Sequence, residues 1–140
     1  MAATKILLAD PNAKMLVVLA LHLRNEDYEV ICAADGRSAL AAAKREQPDI
    51  IVMDVGMEVN GRDRLSDHIS DDPDLVRTPT IYLVGERAVQ LGSVPKVSAM
   101  SMIIKPVPTR ELFEKIEEAL TRRPAGRRSG RMISRRGKAA

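Results

Sequence analysis

The chain is poor in aromatic residues and in cysteine. Its 140 residues include no tryptophan, one phenylalanine, two tyrosines and one cysteine. A hydrophobic core built from this sequence must therefore be packed mainly from aliphatic side chains. A single cysteine cannot form an intrachain disulfide, which excludes the small disulfide-stapled folds. Cys32 lies in a predicted strand, and we interpret it as a small core residue.

Long apolar segments are also missing. The longest run, from Met15 to Leu21, is far shorter than the roughly 20 residues that a membrane-spanning helix needs. The sequence does not start with a charged stretch followed by an apolar one, the pattern of a secretion signal. We therefore expect a cytoplasmic protein with no membrane contact.

The motifs of several enzyme classes are absent as well. After the first predicted strand the chain reads DPNAK, which fits neither the P-loop nor the dinucleotide-binding fingerprint, and a flavodoxin-type cofactor loop is also missing. No HExxH motif or cluster of cysteine and histidine suggests zinc. We therefore do not expect an enzyme with an activity of its own.

Acidic residues are absent from the end of the chain. All 19 lie at or before Glu118, whereas the last 20 residues contain eight basic ones. The first 120 residues, with 14 basic and 19 acidic groups, carry a net charge of −5, and the tail carries +8. Because the tail has little apolar surface to bury, we predict one domain over residues 1–121 and a basic, disordered tail over 122–140.

Apolar strand patterns and helical patterns alternate along the first 120 residues, which is typical of an α/β fold with a parallel sheet. Gly92, Ser93 and Pro95 interrupt the region between the last two strands, which predicts that the fourth helix is short, shifted or frayed. The predicted strands are Lys5–Ala9, 28–33, a run after Pro48, Thr80–Val84 and 100–104, and the predicted helices are about 11–24, 37–46, 63–69 and a last one around Leu112, Ile116 and Leu120.

Charged residues stand where three of these strands end. Asp54 closes the buried run after Pro48, Asp10 follows the first strand, and Lys105 follows the last. Parallel strands present their carboxyl ends at one edge of the sheet, where open α/β folds bind their ligands. The pattern therefore predicts a site made from two carboxylates and one ammonium.

The motifs around these residues, KILLAD, PDIIVMDVGM and MIIKPV, together with DDPDLVRTPTIYLVG, resemble the receiver domain of bacterial response regulators, the CheY-like superfamily. The resemblance covers about residues 4–120. It implies a flavodoxin-like (βα)5 fold with a five-stranded parallel sheet in the order 2-1-3-4-5. It also implies that Asp54 is the phosphoacceptor and that Lys105 pairs with the aspartate or its phosphoryl group.

The sequence departs from the receiver pattern at three positions. Pro11 replaces the second of two adjacent acids, Val84 replaces a hydroxyl residue that donates to the phosphoryl group, and Met102 replaces an aromatic residue. The resemblance leaves Asp10, Asp54 and the backbone carbonyl of Gly56 as ligands for Mg²⁺. Because each lost carboxylate weakens a magnesium site, we predict a weak one.

The expected function is that of an atypical receiver in a two-component phosphorelay. It is either phosphorylated weakly at Asp54 or signals without phosphate. In both cases it acts on its partner through protein–protein contact. The implied partners are a sensor histidine kinase or phosphotransfer protein and an output protein that the sequence does not identify.

An alternative hypothesis is that the arginine-rich tail binds nucleic acid or another anionic surface. No aromatic residue is interleaved with the arginines, so sequence-specific recognition is not expected. A solvated linker, or an arm that folds back on the acidic domain, is the favoured interpretation of the tail.

Overall fold

A computed structural model describes residues 3–92 and 101–122. Five parallel strands form one sheet in the order β2-β1-β3-β4-β5, which confirms the predicted fold class and topology. No helix within the described ranges is long and apolar enough to cross a membrane. The strands are β1 (Lys5–Ala9), β2 (Glu29–Ala33), β3 (Ile50–Asp54), β4 (Thr80–Val84) and β5 (Met102–Ile104), and the helices are α1 (Ala13–Asn25), α2 (Gly36–Glu46), α3 (Leu65–Asp71), α4 (Glu86–Gln90) and α5 (Thr109–Arg122).

The central strands are buried on both faces because helices cover each side of the sheet. Along β1, Ile6 and Leu8 pack with α1 and α5, whereas Leu7 and Ala9 pack with α2 and α3. The alternation follows from the two-residue period of a strand. Burying each large aliphatic side chain contributes roughly 1.5–3 kcal/mol. This packing fixes the carboxyl ends of β1 and β3, where Asp10 and Asp54 stand.

Short polar side chains set the starts of the first two helices. The Asn12 side chain accepts a hydrogen bond from the Met15 N–H at 3.1 Å, and Asp35 accepts one from the Ser38 N–H at 2.8 Å. Such caps satisfy backbone donors that have no partner within the helix. Helix α1 therefore begins at Ala13, two residues after the predicted start at Pro11.

Cys32 is exposed, so its interpretation as a core residue was wrong. The reason is the position of β2 at one edge of the sheet, where fewer elements cover its side chains. Cys32 is nevertheless partly shielded from water, and this partial burial raises the pKa of its thiol, although the nearby Arg24 opposes the shift. The Arg24 guanidinium also donates a hydrogen bond to the Val30 carbonyl of β2 at 2.9 Å.

The loop between β3 and α3 folds into a small hairpin. Glu58 pairs with Arg64 in an antiparallel bridge, and the Val59 N–H donates to the Asp63 carbonyl at 2.8 Å. Gly61 takes a positive φ of 79° at the turn, which glycine adopts without strain. Because the hairpin uses residues up to Arg64, α3 begins two residues later than predicted.

The helices after β4 agree partly with the predicted ones. Helix α4 has only five residues and buries none of them, which confirms that it is short. Helix α5 continues through Arg122, one residue beyond the predicted boundary at 121. Residues 93–100, with the predicted start of the last strand, and the predicted tail from 123 onward lie outside the described residues.

Gly36, the first residue of α2, lies directly against the hairpin. A Cβ atom built on Gly36 would be 2.2 Å from the Glu58 carbonyl oxygen and 2.6 Å from its carbon. Both are backbone atoms, so a side-chain rotation cannot relieve the steric overlap. The close approach of α2 to the loop after Asp54 therefore requires glycine at this position.

We expect Gly36→Ala to destabilise the domain by about 1–3 kcal/mol, the usual cost of an overpacked core. Urea denaturation of the two proteins measures this difference. Without the contact, alanine would stabilise a helix by about 1 kcal/mol relative to glycine. The matched control is Gly85→Ala, because a Cβ on Gly85 meets no atom within 4 Å and its φ is −69°. A Gly36→Ala protein as stable as the native chain would contradict the packing described.

Candidate functional site

Three charged side chains meet at the carboxyl edge of the sheet. Asp10 follows β1, Asp54 is the last residue of β3, and Lys105 follows β5. The Lys105 Nζ lies 2.7 Å from the Asp10 Oδ2 and 2.9 Å from the Asp54 Oδ1. The structure thus brings together the two acids and the lysine that the strand ends predicted. We call these three residues the ion triad.

The members of the ion triad differ in exposure. The Asp10 side chain is fully buried, the Asp54 side chain is 16% exposed and the Lys105 side chain is 24% exposed. Asp54 therefore presents a carboxylate that a small reactant in solvent can reach, whereas Asp10 acts from beneath it. An exposed nucleophile next to a buried charge is a suitable arrangement for chemistry on Asp54.

The two carboxylate oxygens that do not contact Lys105 each accept a backbone hydrogen bond. The Asn12 N–H donates to the Asp10 Oδ1 at 2.9 Å, and the Gly56 N–H donates to the Asp54 Oδ2 at 3.0 Å. Within residues 3–92 and 101–122, the only partner of the Asp10 Oδ2 is the Lys105 ammonium. All four oxygens of the two acids are thus engaged by groups of the protein itself.

The environment of Lys105 favours its charged form. Burial lowers the pKa of Lys105, but hydrogen bonds to Asp10 and Asp54 and the charges of both acids outweigh burial, so that the pKa is raised above its ordinary value of 10.5. Lys105 is therefore a permanent cation at neutral pH. Its backbone is held as well, because its N–H donates to the Val84 carbonyl at 2.8 Å. The peptide bond between Lys105 and Pro106 is cis.

The three positions at which the sequence departs from the receiver pattern offer the site no polar side chain. Pro11 is exposed beside Asp10, Val84 is fully buried at the end of β4, and Met102 is half-buried and pairs with Tyr82 of β4. None of these side chains can donate a hydrogen bond to an anion. The site must therefore rely on the ion triad and on backbone groups.

The oxygen atoms at this edge suit a hard cation such as Mg²⁺ in kind, but there are few of them. Asp10 and Asp54 supply carboxylates, and the contact that the structure gives Gly56 is made through its N–H. Within the described parts of the chain, no group of three acidic, histidine or cysteine residues could hold a metal ion. The residues present thus fit a weak magnesium site whose ligands are shared with Lys105.

Two backbone contacts of the site were not foreseen from the sequence. These are the Asn12 N–H on Asp10 and the Gly56 N–H on Asp54. An aspartate side chain commonly accepts a hydrogen bond from the backbone N–H two residues later in a turn, and the Asp10-Pro11 pair could therefore have located the first. The second depends on the path of the loop after Asp54, for which the sequence carries no local signal.

An apolar groove of about 640 Å³ lies beside the ion triad, between α1 and the start of α5. Lys105 stands at the groove, and Met15, Leu19 and Val107 contribute apolar side chains to its wall. His22 and Thr109 join the two helices through a contact of 3.1 Å between Nδ1 and Oγ1.

Helix α1 also exposes three apolar side chains to solvent. Val17, Val18 and Leu21 are 68%, 51% and 56% exposed. Contiguous apolar patches of this kind on a soluble domain commonly mark an interaction surface. We call these three residues the α1 ridge.

A family model of the response regulator receiver domain matches residues 6–117. Among curated proteins, the chain is 31% identical to the response regulator PleD of Caulobacter vibrioides, an alignment that covers 91% of the chain and 31% of that protein. It is 30% identical to the transcriptional regulatory protein GlrR of Escherichia coli, with 82% of the chain and 26% of that protein covered. The chain thus spans about a third or less of the length of these two relatives.

The fold is similar to that of solved receiver structures. The chemotaxis response regulator CheY4 of Vibrio cholerae aligns with a TM-score of 0.67 at 23% identity, covering 84% of the chain and 99% of that structure. A response regulator from Desulfuromonas acetoxidans gives a TM-score of 0.70 at 22% identity and covers 84% of the chain and 96% of that structure. Identities this low support the shared fold and leave the chemistry to the residues of the site.

Proposed function

Because the chain belongs to the response regulator receiver domain family of two-component systems, we propose that it is an atypical receiver that accepts a phosphoryl group weakly at Asp54. The observation that carries this proposal is the position of Asp54. It is a partly exposed carboxylate at the end of β3, 2.9 Å from the Lys105 ammonium and 3.0 Å from the Gly56 N–H. Both donors lie where they can contact the oxygens of a phosphoryl group.

The proposed reaction is attack of an Asp54 carboxylate oxygen on the phosphorus of a phosphodonor. The new P–O bond forms an aspartyl phosphate, and the bond from phosphorus to the donor breaks, with its electron pair leaving on the donor. Phosphoryl transfer depends mainly on positioning and charge neutralisation. Lys105 and the Gly56 N–H supply both from the protein, and Mg²⁺, when held by Asp10, Asp54 and the Gly56 carbonyl, supplies further positive charge.

The reaction is weak because two contributions are missing. Pro11 provides no second carboxylate for the cation, and Val84 provides no hydroxyl for the phosphoryl oxygens. Removing one positioned donor from a site of this type typically costs about 10²–10³ in rate. Signalling therefore depends on contacts between folded surfaces, and receiver domains in general are signalling modules and not enzymes.

The surface next to Asp54 supports a protein as the phosphodonor. The α1 ridge and the groove beside Lys105 share Val18, so the two apolar features are continuous along α1. A helix of a sensor histidine kinase or phosphotransfer protein, with its histidine towards Asp54, fits this surface. The output protein is a second partner that binds elsewhere on the domain.

We further propose that residues 1–121 together with Arg122 form the folded unit and that the basic residues after it act separately. The buried residues of helix α5 in its described range Thr109–Arg122 are Leu112 and Ile116, which lie before the last turn of that range. The −5 charge of the first 120 residues and the +8 charge of the tail make any action of the tail electrostatic and sensitive to salt. Nucleic-acid binding by the tail is the alternative function.

Phosphorylation is tested with the full chain, Mg²⁺ and acetyl phosphate, followed by intact-mass measurement. We expect slow and partial addition of one phosphoryl group to the native chain and none to Asp54→Asn. We also expect Pro11→Asp combined with Val84→Thr to increase the rate by at least tenfold, because the variant regains a carboxylate and a hydroxyl. A native chain that reacts as fast as this double variant would disprove the weak site. A chain that never reacts would disprove phosphorylation at Asp54 and would favour a receiver that signals without phosphate.

The partner surface is tested by placing a charge on the α1 ridge. We expect Leu21→Asp to slow phosphotransfer from a sensor histidine kinase by at least tenfold, because the complex would have to bury a carboxylate. The kinase is chosen as one that phosphorylates the native chain. Phosphorylation by acetyl phosphate should be unchanged. The matched control is Val76→Asp, which adds the same charge at a side chain that is 52% exposed outside the ridge. Equal rates for both variants would refute the proposed surface.

The domain boundary is tested by truncation after Arg122. We expect the melting temperature to change by less than about 2 °C, since the removed residues contain little apolar surface. Duplex DNA should bind the full chain weakly at low salt, without sequence preference, and should not bind near physiological ionic strength. Tight binding at physiological salt that is lost on truncation would favour the alternative function. Binding that survives truncation would contradict the assignment of the positive charge to the tail.

A further inference from the structure

Strand β2 lies at one edge of the sheet and pairs with β1 on one side only. The Glu29 N–H donates to the Thr4 carbonyl, so the backbone groups of Glu29 face β1. Successive residues of a strand point their backbone groups to opposite edges, and those of Val30 and Cys32 therefore point outward. Within the described residues, the Val30 carbonyl accepts from Arg24, whereas the Cys32 N–H and carbonyl have no partner. The outer edge of β2 is thus open to a further strand.

An apolar groove of about 510 Å³ runs beside this open edge, between β2 and α1. Cys32 lines the groove from β2, and Leu16, Val17, Ala20 and Leu21 line it from α1. Leu16 and Ala20 are buried, whereas Val17 and Leu21 are exposed. Because side chains alternate between the two faces of a sheet, every second side chain of a strand added to β2 would point towards α1. The groove therefore accommodates apolar side chains of such a strand.

Arg24 places a positive charge at the end of the groove opposite to Ala13. Its guanidinium donates to the Val30 carbonyl at 2.9 Å and carries further N–H donors in a planar fork. The side chain is exposed, and no ion pair among the described residues involves it. Charge complementarity thus favours a carboxylate at this end of the groove.

We propose that the edge of β2 and the groove beside it bind an extended segment of a partner protein. The segment adds a strand to the sheet, places alternate apolar side chains against α1 and pairs an acidic residue with Arg24. Antiparallel pairing is the more stable direction. Because Arg24 contacts the start of β2, this direction puts the acidic residue towards the carboxyl end of the segment.

The occupant comes from another protein because the basic end of this chain has the wrong charge. Residues 123–140 contain no acidic residue and cannot supply a carboxylate side chain to Arg24. The proposal does not rest on the proposed function, since none of the residues that line the groove belongs to the ion triad.

The first test uses the acetylated and amidated peptide TVTVTET, whose two valines and glutamate share one face of a strand. Its binding to the full-length native chain is measured by fluorescence anisotropy, and we expect a Kd below about 1 mM. Two further peptides carry N-methyl groups on alternate residues, so that one loses the donors facing β2 and the other loses those facing solvent. We expect one to bind at least tenfold more weakly and the other within threefold of the parent. No binding of the parent, or equal affinities of the two methylated peptides, would overturn the proposal.

The second test exchanges charges across the proposed contact. We expect Arg24→Glu to weaken binding of TVTVTET at least tenfold and to bind TVTVTKT, with lysine in place of glutamate, at least tenfold more tightly than the native chain does. Lys44→Glu is the matched control, because Lys44 is also an exposed cation in the last turn of a helix but lies outside the groove. We expect it to change either affinity less than twofold. Arg24→Glu and Lys44→Glu proteins with the same preference between the peptides would contradict the assignment of Arg24.

The native chain provides a readout that does not depend on the folding of a variant. In ¹⁵N-labelled protein, we expect TVTVTET to slow hydrogen exchange of the Cys32 N–H and to leave that of Ile31, which faces β1, unchanged. Changes centred on β5, the other edge strand, would overturn the proposal. A free chain that is already a dimer with a protected Cys32 N–H would also overturn it, because a second copy would then occupy the edge. None of these measurements uses phosphate, so a chain that fails to phosphorylate at Asp54 would end the proposed function and leave this site intact.

Discussion

The structure of this edge of the sheet depends on the neutralisation of one buried carboxylate. Transfer of an ionised side chain from water into a protein interior costs on the order of several kcal/mol. Asp10 is fully buried, and it is compensated by the Lys105 ammonium and the Asn12 N–H. The same ammonium also contacts Asp54, so two ion pairs made by Lys105 join the ends of β1, β3 and β5. The order of the sheet, with β5 at its edge, explains why this link has to be a long side chain.

The need to neutralise Asp10 separates the effects of the departures from the receiver pattern. A second acid in place of Pro11 would add a negative charge that one lysine could not neutralise, and it would strengthen the attraction of the site for a divalent cation. With Pro11 present, the two remaining acids and Lys105 satisfy one another within hydrogen-bond distance. The absence of a hydroxyl at Val84 acts on the phosphoryl group and not on this balance. Loss of an acid thus affects both stability and chemistry, whereas loss of the hydroxyl affects chemistry alone.

Sequence patterns predicted what depends on local periodicity and failed where distant segments meet. The strands β1 and β4 were predicted to the residue, and the charged residues at three strand ends located the ion triad. The exposure of Cys32 follows from the position of β2 at the edge of the sheet, which the resemblance implied but which the apolar pattern of the strand itself does not reveal. The late start of α3 depends on the bridge between Glu58 and Arg64, and the Gly56 N–H depends on the same loop. The roles of the site residues stay predictions, because they concern reactants that geometry alone does not identify.

The loop after Asp54 connects β3 to α3 through the hairpin and also reaches the start of α2. The Gly56 N–H binds the Asp54 side chain and the Met57 N–H binds its carbonyl at 3.3 Å, so the first turn of the loop is ordered around the reactive residue. The next residue, Glu58, packs its backbone against Gly36 at the start of α2. A change in the charge of Asp54 that moved the Gly56 N–H would therefore press on a contact that has no free space. Such a contact transmits small displacements, because close-packed atoms cannot absorb them, so the position of α2 is coupled to the path of the loop after Asp54.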